Sequence, residues 1–224
     1  MRLIIVDDEI ELAENLKKML ELKGFAVDWL PSADKALNRI LLYQKEYDAV
    51  ILDLSMEGMN GMELTMRLRE EKVNLPIIIL TGDSATATKI ALLNSGADDY
   101  IVKPFSVDEL IARVNSVIRR PALSLPITIS AGNITMDTVQ RTITVSQKEV
   151  PLSLKEYALL ECFVREPGKV MSREQLSNKV WDFASLTLSN VLDVHMVSLR
   201  KKIVTEGETT RFETIRGVGY RLVI

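Results

Sequence analysis

The sequence predicts a doubly wound α/β domain with a five-stranded parallel sheet, followed by a smaller α+β domain, and three observations lead there. Apolar runs of strand length alternate with helically spaced segments through the first half. The pattern changes to short β-prone pieces and three helices in the second half. Between the halves, the stretch "RRPALSLPITI" places Pro121 and Pro126 among small and polar residues directly after a helical pattern, which reads as a linker.

The first-half strands are "LIIV", "AVDW", "AVILDL", "PIIILT" and "DYIVK". Continuous apolar runs of this kind suit strands covered on both faces, as in parallel sheets. Between them lie segments such as "EIELAENLKKMLELKG", where Leu12, Leu16, Met19 and Leu20 share a face before a Gly24 stop. The last, "SVDELIARVNSVIRR", opens with a Ser106–Glu109 capping box and presents Leu110, Val114, Val117 and Ile118 as one stripe. Strand and helix in alternation require right-handed crossovers. The domains are therefore 1–120, a linker at 121–126, and 127–224.

Composition limits the function classes. The chain has 224 residues, 47% of them hydrophobic, enough to bury a real core. Its opening apolar run is only four residues long before two acids, too short for a signal peptide or membrane span, so a soluble, cytoplasmic protein is expected. The lone Cys162, within "ALLECFV", fits a packed helix rather than a disulfide or zinc site. Residues 1–120 carry 15 basic and 20 acidic side chains, whereas residues 121–224 carry 13 and 11. The two halves thus differ in electrostatic character.

In open parallel sheets, ligands bind at the carboxyl ends of the strands. Asp7 and Asp8 follow the first strand, Asp53 ends the third, Thr81 ends the fourth, and Lys103 ends the fifth, before Pro104. Three clustered carboxylates repel unless a cation sits among them, and an oxygen-only set suits Mg2+. A hydroxyl and an ammonium on the same rim suit phosphoryl oxygens. Asp53 is then a candidate nucleophile for phosphoryl transfer.

The runs "IIVDDE", "LDLSMEGMNGMEL", "IILTGD" and "GADDYIVKPF" resemble the receiver domain of two-component response regulators. The resemblance implies that Asp53 accepts phosphate and that Asp8, Asp53 and the carbonyl of Ser55 bind magnesium, with Asp7 acting through a water. Thr81 and Lys103 would contact the phosphoryl group, and Tyr100 would turn inward as Thr81 moves. Glu57 stands where the family usually has proline. The phosphate donor would be a sensor histidine kinase. Active receivers of this kind would form homodimers through Lys89, Asp98, Asp99, Glu109 and Arg113, with Ser116 standing where an arginine usually faces Asp98. A phosphoaspartate hydrolase is a rival reading, but it needs a second acid two residues past the nucleophile, where this chain has Ser55.

In the second half, "ITI", "NITMD", "TITVS" and "KEVPL" suggest a small antiparallel sheet. Two helices open with Ser153–Glu156 and Ser172–Gln175 capping boxes. A third lies within "LSNVLDVHMVSLRKKIV", and Gly217 and Gly219 break the tail as a hairpin requires. On the third helix Leu192, Met196, Leu199 and Ile203 form a core stripe. Asn190, Val194, Val197 and Lys201 point the opposite way, flanked by Ser198 and Arg200, a mixture that suits a major groove.

The stretches "LSLKEYALLECFVREPGKVMSREQLSNKVW", "DVHMVSLRKKI" and "TIRGVGYRL" resemble the winged helix-turn-helix effector domain of the OmpR/PhoB family. That implies a phosphorylation-dependent DNA-binding transcriptional regulator. The third helix would be its recognition helix, Thr214 and Arg216 would lie in the wing, and Asn190 and Ser198 occupy positions where the family has arginines. Promoter DNA with direct repeats and RNA polymerase are the implied partners. An adaptor acting by protein contact alone would lack the basic wing.

Overall fold

The computed structural model describes residues 1–119, 128–138, 140–182, 191–203 and 210–224. The chain divides into two compact units, Met1–Ser124 and Leu125–Ile224. The predicted linker, 121–126, lies outside the described residues.

In the first unit, strands β1 (Arg2–Val6), β2 (Ala26–Leu30), β3 (Ala49–Asp53), β4 (Ile77–Thr81) and β5 (Asp99–Val102) alternate with helices α1 (Ile10–Leu22), α2 (Ala33–Tyr43), α3 (Gly61–Glu70), α4 (Thr86–Asn94) and α5 (Val107–Arg119). All five strands are parallel, in the order β2-β1-β3-β4-β5. Every residue of β1, β3 and β4 is buried, because helices cover both faces and leave no side for polar alternation. Leu3, Ile5, Ile51, Ile78 and Leu80 form a core with Leu16 and Leu20 of α1 and Leu110, Val114 and Val117 of α5.

The buried Arg2 at the start of β1 is matched by Asp28 of β2 at 2.8 Å and by the Tyr47 ring, 5.4 Å from its guanidinium carbon. Glu46 adds a second carboxylate at 3.7 Å, and together these contacts offset the desolvation of a charge in this core.

The order of strands matters for the site. The chain runs from β1 outward to β2, then returns to the other side of β1 for β3. This reversal opens a crevice at the carboxyl ends of β1 and β3. Gly61 lets α3 approach it closely, since a Cβ there would lie 2.3 Å from the Asp53 carbonyl oxygen.

In the second unit, β6 (Thr128–Ala131), β7 (Ile134–Asp137), β8 (Thr142–Val145) and β9 (Lys148–Glu149) form an antiparallel sheet in sequential order. Helix α6 (Leu154–Arg165), strand β10 (Met171–Ser172), helix α7 (Arg173–Val180) and helix α8 (Val191–Ile203) follow, and β11 (Arg211–Ile215) pairs with β12 (Gly219–Val223) as the closing hairpin. The Ser153–Glu156 and Ser172–Gln175 capping boxes are both formed. Ser106 of the first unit likewise accepts from the Glu109 amide at 3.1 Å.

Leu192, Met196, Leu199 and Ile203 of α8 are buried with Leu159, Leu160 and Phe163 of α6, as the helical spacing requires. Glycine is needed at 219 because a Cβ there would lie 2.0 Å from the Met171 carbonyl oxygen, where β12 pairs with β10.

Glu156 does more than cap α6. Its Oε1 accepts from the Ser198 hydroxyl at 2.6 Å and its Oε2 from Lys202 at 2.8 Å, tying α8 to α6. Burial alone would raise this carboxyl, but the bonds from Lys202, Ser198 and Ser153 outweigh it and hold the pKa at about 2. A depressed folded-state pKa contributes stability that is fully present above the unfolded value and lost as pH falls through the folded one. The stability advantage of wild type over Glu156→Gln should therefore be about 2–3 kcal/mol at neutral pH. It should shrink below pH 4.5 and vanish near pH 2. Denaturant melts of both full-length proteins across that range measure the difference.

Candidate functional site

Strands β1, β3, β4 and β5 are successive neighbours, so the side chains at their carboxyl ends meet along one rim. Asp7 and Asp8 come from β1, Asp53 from β3, Thr81 from β4 and Lys103 from β5. Their carboxylate or hydroxyl partners are fixed by the register that sets Val6 beside Leu52, Asp53 beside Leu80, and Thr81 beside Val102.

Lys103 is the counter-charge. Its ammonium makes a direct ion pair with Asp53 Oδ1 and lies 3.6 Å from Asp7 Oδ2. Burial would lower its pKa, but the hydrogen bond to Asp53 and the charges of Asp53 and Asp7 raise it, so it is held protonated.

Asp53 is 5% exposed, and its Oδ2 accepts from the Ser55 amide at 2.7 Å. Asp7 is buried, and its Oδ1 accepts from the Glu9 amide at 2.8 Å. Its Oδ2 accepts no hydrogen bond. Desolvation pushes the Asp7 carboxyl above its ordinary value, against the Glu9 amide and Lys103, with Asp53 adding to the rise. Asp8 is exposed, and its Oδ2 accepts from the Glu57 amide at 2.9 Å.

The three carboxylates each offer a ligand atom, all within 4.8 Å of one another. One ammonium stands against three acids, and an Asp7 oxygen is buried without a hydrogen-bond donor. That donor set, all oxygen and net anionic, fits a hard divalent cation.

Thr81 is buried, and its hydroxyl accepts from the Asp83 amide at 3.0 Å. Asp83 in turn accepts from the Ala85 amide at 2.8 Å and from the Thr88 hydroxyl at 2.5 Å, bonds that lower its pKa. Asp83 lies outside the residues that the sequence singles out, because its tie to Thr88 is a side-chain bond ahead of α4, whose N-cap is Ala85. Tyr100 is half-buried on β5, with the Lys89 ammonium 5.9 Å from its ring centre. The α3 capping box between Asn60 and Glu63 carries the N-x-x-E spacing of a helix start.

Four of the expected interface residues, Asp98, Asp99, Glu109 and Arg113, are already in ion pairs within the chain, while Lys89 lies over the Tyr100 ring. Arg113 binds Asp99 at 3.0 Å and Glu109 at 3.0 Å. Asp98, whose expected gap is an arginine across the dimer axis, is held within its own chain: Arg69 of α3 meets its Oδ2 at 2.8 Å, and the Ile77 amide donates to the same oxygen. The sequence could not reveal this pair, because its members are 29 residues apart and meet only through the fold.

On α8, Val194 is 66% and Val197 51% exposed, and Lys201 is exposed beside them. Asn190 lies outside the described residues. Ser198 corrects the sequence reading: its hydroxyl turns to Glu156 instead of the exposed face, since a buried carboxylate is the stronger claim on a short polar side chain. Arg200 donates to Thr214 of β11, and Arg216 is exposed at the hairpin tip. His195 packs against Trp181, with ring centres 5.7 Å apart.

A further network was not foreseen. Asp193 accepts from Arg173 and Tyr220, and the guanidinium carbons of Arg173 and Arg200 lie 5.4 and 5.5 Å from the Tyr220 ring. It joins α7, α8 and the hairpin through side chains distant in sequence.

No helix among the described residues is long and apolar enough to cross a membrane. Residues 3–115 match the response regulator receiver domain family, and residues 147–222 match the C-terminal domain of transcriptional regulatory proteins. The chain is 39% identical over 222 residues to the transcriptional regulatory protein TcrA of Mycobacterium tuberculosis, covering 99% of this chain and 87% of that one. It is 36% identical over 227 residues to the response regulator MprA of Mycobacterium avium, covering 99% and 98%. Among solved structures, a response regulator receiver domain protein from Clostridium thermocellum aligns with a TM-score of 0.52 at 28% identity, over 55% of this chain and 97% of that one. A Francisella response regulator receiver domain aligns with a TM-score of 0.50 at 36% identity, over 54% and 98%. The carboxylate rim with its lysine, the two matched families and the full-length relatives agree: this chain belongs to the two-component response regulators of the OmpR/PhoB type, a receiver joined to a DNA-binding transcriptional-regulatory domain.

Proposed function

We propose that this regulator is switched by phosphorylation of Asp53, and that the switch acts by pairing two chains on promoter DNA. The observation that supports the first part most directly is the ion pair of Asp53 with Lys103 on a rim shared with buried Thr81.

An Asp53 oxygen forms the new bond to phosphorus as the bond from phosphorus to the kinase's histidine nitrogen breaks, the nitrogen keeping the electron pair. Lys103, held protonated by its acidic neighbours, moves from the carboxylate to the phosphoryl oxygens. Thr81 leaves the Asp83 amide to donate to another of those oxygens, and Tyr100 follows inward. Asp8, Asp53 and the Ser55 carbonyl would hold magnesium, with Asp7 acting through a water. The metal supplies positive charge against the phosphoryl oxygens. The chain's own chemistry is confined to phosphoryl uptake and hydrolysis, and its phosphate source is a sensor histidine kinase.

Acetyl phosphate with magnesium should add one base-labile phosphoryl group to the wild-type protein, detected as one added phosphate by intact-mass spectrometry. Asp53→Asn should take up none. Uptake persisting in that variant would place the acceptor elsewhere.

The dimer face is α4, β5 and α5. Lys89 of one chain faces Glu109 of the other and Asp99 faces Arg113, each pair occurring twice about a two-fold axis. Arg113 already holds Asp99 and Glu109 within its own chain, so pairing extends this network rather than building it anew. The Arg69–Asp98 pair keeps Asp98 in place at the same face. Exposed pairs contribute about 0.2–1 kcal/mol each, and reversing one charge in both chains acts twice. Arg113→Glu should therefore weaken phosphorylation-dependent dimerisation by about tenfold, seen as a shift toward monomer in sedimentation velocity.

The α8 face carries Val194, Val197 and Lys201 into the major groove, and the expectation that Asn190 reads bases beside them stands as a sequence-based one. Ser198 is assigned instead to the Glu156 tie. Arg200, braced by Thr214, and Arg216 of the wing hold the backbone, and contact with RNA polymerase is the output at the promoter. The weakly basic effector half favours two subunits on direct repeats about 10–11 base pairs apart, each raising the effective concentration of the other. Val197→Ala should lower affinity by about fivefold for operators with thymine under that side chain, the loss of roughly one buried methyl contact or two. Affinity for operators without that thymine should change little in gel-shift titrations.

A further inference from the structure

The Asp8 carboxylate faces a physical difficulty that its two neighbours do not. Asp53 is buried and held by Lys103 and the Ser55 amide. Asp7 is buried and held by the Glu9 amide. Asp8 is exposed, so repulsion from the other two would turn it outward into water, where solvation costs nothing. It nevertheless keeps a ligand atom within 4.8 Å of theirs.

The contact that opposes that movement comes from the β3–α3 loop, where the Glu57 N–H donates to Asp8 Oδ2 at 2.9 Å. We propose that the Glu57 backbone N–H is a positioning group of the cation site: it holds Asp8 against the cluster before magnesium arrives. It thereby raises cation affinity by sparing the site that reorganisation. The inference rests on the magnesium reading above and concerns what residue 57 adds to it.

Three features support it. A backbone amide can hold a carboxylate without bringing a counter-charge that would compete with the cation. The loop is anchored on both sides of Glu57, by the Ser55 amide on Asp53 and by the Asn60–Glu63 capping box at the start of α3, so the N–H is aimed by a fixed backbone. The buried Asp7 Oδ2 without a hydrogen bond marks the interior of the same cluster as a place awaiting positive charge. The Glu57 side chain is exposed and has no part in the tether, so only a change that removes the N–H should matter.

Trp29 supplies a reporter, because its indole N–H donates to the Asp7 carbonyl at 2.9 Å. Magnesium titration of the metal-free full-length protein, followed by tryptophan fluorescence, compares wild type with Glu57→Gln, which keeps the N–H, and Glu57→Pro, which removes it. Glu57→Gln should bind within about threefold of wild type, and Glu57→Pro about tenfold more weakly than Glu57→Gln, the order expected for a hydrogen bond to a charged group.

A second measurement needs no metal and tolerates any loop change that proline introduces. Hydrogen exchange at the Glu57 amide of the metal-free protein should be about tenfold faster in Asp8→Ala than in wild type. Exchange unaffected by Asp8→Ala, or a Glu57→Pro variant that binds magnesium as tightly as Glu57→Gln, would overturn the tether while leaving the cation site standing. A wild-type protein with no saturable response to magnesium would overturn the cation site, and the tether with it.

Discussion

The receiver half depends on one electrostatic constraint: three carboxylates brought to adjacent strand ends with a single ammonium between two of them. A parallel sheet with the order β2-β1-β3-β4-β5 places the ends of β1, β3, β4 and β5 side by side. Any acid in those positions therefore belongs to one cluster. Lys103 makes the metal-free arrangement tolerable by pairing with Asp53 and approaching Asp7, but it cannot neutralise all three. The unmatched charge suits the site to a cation and, on the proposed reading, then to an anionic phosphoryl group. A site with balanced charge would be more stable at rest and would respond to less.

The same imbalance explains why so many backbone amides face this rim. Glu9, Ser55 and Glu57 each donate to one of the three acids, and Asp83 donates to Thr81. Amides offer partial positive charge in fixed positions, at no cost of side-chain ordering. The loops after β1, β3 and β4 are thus part of the chemistry. Their shape is held by contacts such as the close approach of Gly61 to the Asp53 carbonyl, which seats α3 directly against the end of β3.

Much of this was legible in the sequence, for a physical reason. Strands buried on both faces must be written as continuous apolar runs, so each run ends visibly, and Asp7, Asp53, Thr81 and Lys103 stand where the runs stop. The core stripe of α8 was legible for a similar reason, since helical period and burial coincide at Leu192, Met196, Leu199 and Ile203. What escaped were polar pairs joined only by folding. Arg69 and Asp98, Ser198 and Glu156, and Arg173 with Asp193 and Tyr220 lie between 20 and 47 residues apart. A polar side chain has no periodicity of its own to betray its partner. Ser198 shows the consequence: its helical angle was compatible with the groove face, yet a buried carboxylate across the interface decides its orientation.

That reassignment changes how the effector half must read DNA. With Ser198 turned to Glu156, the exposed face of α8 among the described residues is reduced to Val194, Val197 and Lys201, two of them apolar. Apolar contacts discriminate by thymine methyl groups and gain little from the phosphate field. Charge is displaced to the hairpin, where Arg216 is exposed and Arg200 is braced by Thr214 and the Tyr220 ring. Exposed charge and exposed apolar surface are thus separated onto different elements, and the Asp193–Arg173–Tyr220 network ties those elements together. On the proposed reading a reader built this way would be weak as a single copy, and that weakness would be useful. Occupancy of the promoter would then be set by whether two chains are joined, which is the quantity that phosphorylation of Asp53 is proposed to control.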